Sequence, residues 1–107
     1  MQIKITQSGA KMILQIEGDI NKFEIDRLKR ALIDIRSFSE IVLDLSKVYF
    51  ASSPLINLLI GIKIRHPKDY QKIKLLKPSD LILELFALTQ IDRMYEIIRE
   101  NTVLLAG

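Results

Sequence analysis

The segment from Glu40 to Leu76 constrains the fold more than any other part of this 107-residue chain. Its first run, Glu40-Ile-Val-Leu-Asp-Leu45, is apolar at nearly every position, as expected of a central strand with both faces covered. A short connection leads to Ser52-Ser53-Pro54, after which Leu55, Leu58, Leu59 and Ile62 recur at helical spacing. His66-Pro67 should stop that helix near Arg65, because the residue before a proline avoids helical geometry. Ile73 to Leu76 then reads as a strand again. Two strands joined by a helix pair in parallel through a right-handed crossover.

The flanking segments extend this pattern. Ile3 and Ile5 alternate with polar residues as in a strand, and Ser8-Gly9-Ala10 turns the chain into a second, Met12 to Glu17. Asn21 caps a helix, with Glu24 in the capping-box relation and Ile25, Leu28, Leu32 and Ile35 as its core stripe. Ser79 caps a third helix running to about Leu88, and Met94 to Ile98 reads as a fifth strand. Arg99 to Gly107 carries no assignable pattern. The order ββαβαβαβ predicts an α/β fold with a mixed, mostly parallel sheet of about five strands. Its helices should lie mainly on one face, leaving the other open or partly covered by the tail. The length predicts one domain over residues 1–107.

Composition narrows the function. Hydrophobic residues make up 49% and charged residues 27%, a globular balance. The absence of cysteine removes disulfides, thiol catalysis and cysteine-ligated metals, and it fits a cytoplasmic setting. No apolar stretch approaches the roughly 20 residues of a membrane helix. The net charge of +3 is scattered, without the basic face and aromatic platforms that nucleic-acid binding requires. Gly9, Gly18, Gly61 and Gly107 are isolated, so no phosphate loop is present. His66 is the lone histidine and sits at a helix end, where a cation suits the dipole. Asp44 sits where a phosphate-accepting aspartate could lie, but Gln7, Ser8 and Gly9 occupy the place of the acids that would hold its metal. Asp44 therefore reads as a strand-end residue. No catalytic set, metal site or cofactor site emerges, and an enzyme is not expected.

The helix after the serines is more informative. At about 100° per residue, Leu55, Leu58, Leu59 and Ile62 share one side. Pro54, Asn57, Gly61 and Arg65 lie roughly opposite, flanked by Ile60 and Ile64 beside Ser53. Such a mixed outer surface suits either cover by a neighbouring element or protein docking. Proline favours the first helical position and pushes its predecessor into extended geometry, so Ser53 is expected as the cap and Ser52 just outside. A phosphate on Ser52 would face the positive end of the helix dipole.

Three quoted stretches carry a family resemblance. "IVLDLSKVYFASSPLINLLIGI" resembles the central segment of STAS domains, the fold of bacterial anti-sigma factor antagonists. There a strand Val-Leu-Asp-Leu-Ser is followed by an apolar link and Asp-Ser-Ser-Gly-Leu. "KIKLLKPSDLILELFALTQIDRMYEI" is similar to their later strand, Pro-Ser pair and helix, ending in Leu-Thr and a hydrophobic-Asp-Arg turn. "ILQIEGDIN" resembles the second strand and its Gly-acidic turn. The resemblance runs in order over nearly the whole chain.

The resemblance implies an anti-sigma factor antagonist that binds an anti-sigma factor with serine-kinase activity. In the family, the first serine after the aspartate is phosphorylated by that partner, and phosphorylation breaks the complex. By position this is Ser52, with Ser53 as the alternative. The partner-binding surface would comprise Ser52, Ser53, Asn57, Ile60, Gly61 and Ile64. Three positions depart from the pattern: Ala51 replaces the usual aspartate, Pro54 a glycine or alanine, and Gln90 a common glycine. Ala51 removes a carboxylate beside the acceptor, and Pro54 deletes a backbone donor. These departures favour a second reading, a non-phosphorylated STAS scaffold domain in a signalling complex. A small-molecule or lipid binder with a pocket between sheet and helices is a third.

Overall fold

The computed structural model describes residues 1–51 and 53–99. Five strands form one sheet in sequence order: β1 (Gln2–Ser8), β2 (Lys11–Glu17), β3 (Glu40–Lys47), β4 (Ile73–Leu76) and β5 (Glu96–Ile98). β1 and β2 form the expected antiparallel hairpin, and Gly9 at its tip has φ +59°, which a glycine adopts without strain. β2, β3, β4 and β5 pair in parallel, as the strand–helix–strand pattern requires. The helices are α1 (Ile25–Ala31), α2 (Ser53–Arg65), α3 (Asp80–Leu88) and α4 (Ile91–Met94).

One face of the sheet meets the helices. Leu14, Ile16, Ile41, Leu43, Leu45, Ile73 and Leu75 alternate along the strands and pack in one cluster with Leu28, Leu55, Leu59, Ile82, Phe86 and Ile91. Burying each such side chain contributes roughly 1.5–3 kcal/mol relative to leaving it in water. Among the described residues these apolar side chains fill the space between sheet and helices. On the other face, Val42, Leu76 and Ile98 join Ile13 in a smaller apolar cluster. Polar pairs border it: Lys11 with Glu40 at 3.6 Å and Lys74 with Glu96 at 3.7 Å. The unassigned tail lies outside the described residues beyond Arg99.

Around α1 and α4 the structure differs from expectation. The Asn21 side chain closes the turn that leads into α1, its Oδ1 accepting from the amides of Phe23 at 2.9 Å and Glu24 at 3.2 Å, but the helix itself starts at Ile25 with Glu24 at its N-cap position, so Asn21 is not its cap. The reciprocal half of the capping box is not made, because the Glu24 carboxylate lies 2.6 Å from the Met1 nitrogen instead. α1 also ends at Ala31, and Ile35 is reached through a separate 3-10 turn, Ile35–Ser37. Ile33, Asp34 and Ile35 are weak helix formers, so the apolar spacing continues while the helix does not. Finally, the chain before the last strand forms the short helix α4, closed by the Tyr95 amide on the Ile91 carbonyl at 3.0 Å, so the strand starts at Glu96 rather than Met94.

Candidate functional site

The corner between β3 and α2 is built by the neighbouring loop. After β3, the Val48 amide donates to the Leu45 carbonyl at 3.1 Å and starts the turn. The loop after β2 then crosses over it. The Gly18 amide donates to the Lys47 carbonyl at 3.1 Å, and the Ile20 amide donates to the Phe50 carbonyl at 3.0 Å. Ile20 and Ala51 form a parallel bridge. Val48, Ile20 and Ala51 all sink into the core cluster. With the chain held at both ends, Tyr49 and Phe50 point outward, 69% and 50% exposed. Two adjacent large aromatics left in solvent on a tethered loop are unusual outside an interaction surface.

α2 begins at Ser53, one residue earlier than expected, so Ser53 is its first helical residue and Pro54 its second. Proline fits there because the first four amides of a helix have no partner within it, and Pro54 lacks one of those donors anyway. Ser53 is therefore within the helix rather than its cap. Ser52 lies outside the described residues, and the expected phosphorylation at Ser52 lies there with it.

The remaining expected residues fall on the outside of α2 to different degrees. Ser53 and Asn57 are exposed beside the aromatic corner. Gly61 is half-buried, and a Cβ there would come 3.1 Å from the Arg65 Nη1, so the guanidinium lies over the glycine. Ile60 packs partly against the core cluster, which matches cover by the fold itself. Ile64 stays 74% exposed. The structure thus brings Ser53, Asn57, Gly61 and Ile64 onto one helix surface, with Ile60 beside them partly covered by the core cluster. α2 contains no acidic residue, and Lys63 and Arg65 in its last turn complement the dipole.

Asp44 lies elsewhere. Its register with Leu76 places it on the sheet face opposite α2. Oδ1 accepts from the Ser46 amide at 3.0 Å and the Ser46 hydroxyl at 2.7 Å, and Oδ2 accepts from Gln15 at 3.3 Å. Those bonds make it a strand residue that pins the end of β3. Tyr95, by contrast, supports the site from behind. Its buried hydroxyl donates to the Leu59 carbonyl in the middle of α2, and burial pushes its pKa well above the usual tyrosine value.

Sequence reasoning missed Tyr49 and Phe50. Their signal was two aromatics in a short connection after a central strand, yet the same pattern fits residues folding into the core. The Ile20–Phe50 and Ile20–Ala51 pairings decide between these outcomes, and no local spacing encodes them.

This fold, an antiparallel hairpin leading into a parallel sheet with helices on one face, is that of a STAS domain. The family model described as Mlab, STAS domain, matches residues 3–100, and the chain belongs to the STAS domain family. Solved structures agree on the fold. An anti-sigma factor antagonist from Mycobacterium paratuberculosis matches with TM-score 0.82 and 17% identity, over 98% of this chain and 91% of its own. An anti-sigma-factor antagonist (STAS) domain protein from Planctomyces limnophilus matches with TM-score 0.76 and 21% identity, over 97% of this chain and 95% of its own. The Bacillus cell fate determinant SpoIIAA in its phosphorylated form matches with TM-score 0.66 and 13% identity, over 96% of both chains. No helix among the described residues is long and apolar enough to cross a membrane.

Proposed function

We propose that this STAS domain is a regulatory protein of the anti-sigma factor antagonist type, working by reversible binding to an anti-sigma factor rather than by catalysis. The observation that carries this reading is the tethered corner, where Tyr49 and Phe50 stand exposed beside Ser53 and Asn57 at the start of α2. Exposed aromatics on a preorganised loop supply contact area with little ordering cost. The partner would cover these residues together with Ser52, Gly61 and Ile64, and only marginally Ile60. A partner with serine-kinase activity would modify Ser52, or alternatively Ser53. The phosphate adds about −1.5 to −2 charge in the middle of the contact and breaks it by desolvation and repulsion. The test is incubation with a candidate anti-sigma kinase and ATP, with binding and mass spectrometry read together. Phosphate on Ser52 or Ser53 with release of the complex supports the switch. Tyr49→Ala and Phe50→Ala variants that bind the partner unchanged overturn the docking surface.

A second reading, a STAS interaction domain without a phosphoswitch, is favoured by one observation. Ala51, where the family carries aspartate, is buried in the core cluster at 8% exposure, so this position offers no carboxylate. A Ser52→Asp variant that keeps full partner binding selects this reading.

A further inference from the structure

The corner is continued along α2 by a groove against α1. Lys29 and Arg30 of α1 and Arg65 of α2 stand over a floor of Leu58 and Ile62. Ile33 borders the groove and is 78% exposed. At the end of α2, His66 closes the groove, and its Nδ1 is shielded from solvent without a hydrogen-bond partner among the described residues. The groove consists of two open hollows of about 250 and 280 Å³ that share Lys29, Leu58 and Arg65. One of them reaches Pro54 and Asn57, next to the start of α2.

The cations of this groove outnumber the acids near them. Outside the groove, three lysines meet acids: Lys72 with Asp69 at 2.7 Å, Lys11 with Glu40 and Lys74 with Glu96. Of the groove cations only Lys29 has such a neighbour, Asp26 at 3.8 Å and largely in solvent. Arg30 and Arg65 form no ion pair among the described residues, and no Asp or Glu lines either hollow. Gly61 leaves room for the Arg65 guanidinium to lie over the helix. A row of cations over an apolar floor matches an occupant with acids on one side and apolar side chains on the other. Two hollows in series suit successive side chains of one segment better than a compact ligand.

We infer that the α1–α2 groove receives an acidic, amphipathic helical segment of the protein partner. The inference rests on the reading of α2 as a protein-docking element and adds the chemistry of what docks. The probes are two synthetic peptides with leucines at identical i, i+3, i+4, i+7 positions, one carrying glutamates and the other lysines between them. Binding is followed by fluorescence anisotropy and by amide chemical-shift changes in the labelled domain. The glutamate peptide should bind at least about tenfold more tightly than the lysine peptide, less so at high salt, with shifts at Lys29, Leu58, Ile62 and Arg65. Lys29→Glu with Arg65→Glu should weaken it by about tenfold, while the same charge change at the exposed Lys4 and Arg93 has under about a twofold effect. Equal binding of the two peptides, equal loss from both variant pairs, or shifts confined to another face would overturn the inference. So would preferential binding of anionic phosphatidylglycerol vesicles through the same residues. An anti-sigma factor that loses binding with Tyr49→Ala but not with the groove variants would leave the docking corner standing and remove the groove from it.

Discussion

Gln90 has φ 63° and ψ 17°, a left-handed backbone that ends α3 and begins α4. A side chain there costs about 1–2 kcal/mol, because its Cβ crowds the neighbouring carbonyl. The family's common glycine at this position avoids that cost. Gln90→Gly should therefore stabilise the domain by roughly 0.5–1 kcal/mol, after allowing for the greater freedom of glycine in the unfolded chain. The measurement is a urea titration, in which the midpoint rises at unchanged slope. The departure was visible in the sequence as a glycine replaced, but the conformation that makes it costly was not. Lys77 has the same left-handed geometry, φ 48°, and its sequence context announced only a break before Pro78. Side chains that bind nearby amides were easier to read. Asn21 and Ser79 act on amides two or three residues onward, within the range that spacing alone can encode. Tyr49 and Phe50 lie at the opposite extreme, since a distant loop determines their exposure.

Among the elements, α2 follows its sequence most closely. Leu55, Leu58, Leu59 and Ile62 are buried as the helical wheel predicts, with Ile56 added to them. Its weak point is Gly61 in the helix interior, which costs roughly 0.5–1 kcal/mol relative to alanine. A Cβ at this position meets only the end of the Arg65 side chain, which can move aside. Gly61→Ala is thus expected to raise stability by about 0.5–1 kcal/mol in the same titration, while displacing the guanidinium from the groove. No gain in stability would mean that the lodged Arg65 side chain itself stabilises the helix. α1 and α4 were less legible. The stripe from Ile25 to Ile35 keeps its apolar spacing across a helix end, because Leu32 and Ile35 still reach the core from a turn and a 3-10 segment. α4 is one turn of four residues, too short for periodicity to reveal.

At the scale of the molecule, Tyr95 ties the last strand to the middle of α2 through its hydroxyl, and its ring meets Tyr70 edge-on with centroids 5.7 Å apart. Burial first, and then Tyr70, raise its pKa in the folded state. A group whose folded pKa is raised contributes stability that is fully present below its unfolded value, about 10 for tyrosine. That contribution is lost as pH rises from there towards the folded value, because the unfolded chain gives up the proton more readily. Stability should therefore fall above about pH 10, and Tyr95→Phe should flatten that fall while costing about 1 kcal/mol at neutral pH through the lost hydrogen bond. Chemical denaturation at a series of pH values checks both parts, and an alkaline limb unchanged by Tyr95→Phe would remove Tyr95 as its source.

By itself, the sequence determined the succession of the strands and the three longer helices, and with it the parallel sheet and the helix-covered face. Residue periodicity is a local property, and the handedness of crossovers then leaves few ways to connect such elements. Only the tertiary structure decided which outward residues share a surface. The aromatic corner depends on hydrogen bonds from the loop after β2, and the basic groove on α1 lying beside α2. Both bring together residues far apart in the chain, where no spacing rule connects one to the other.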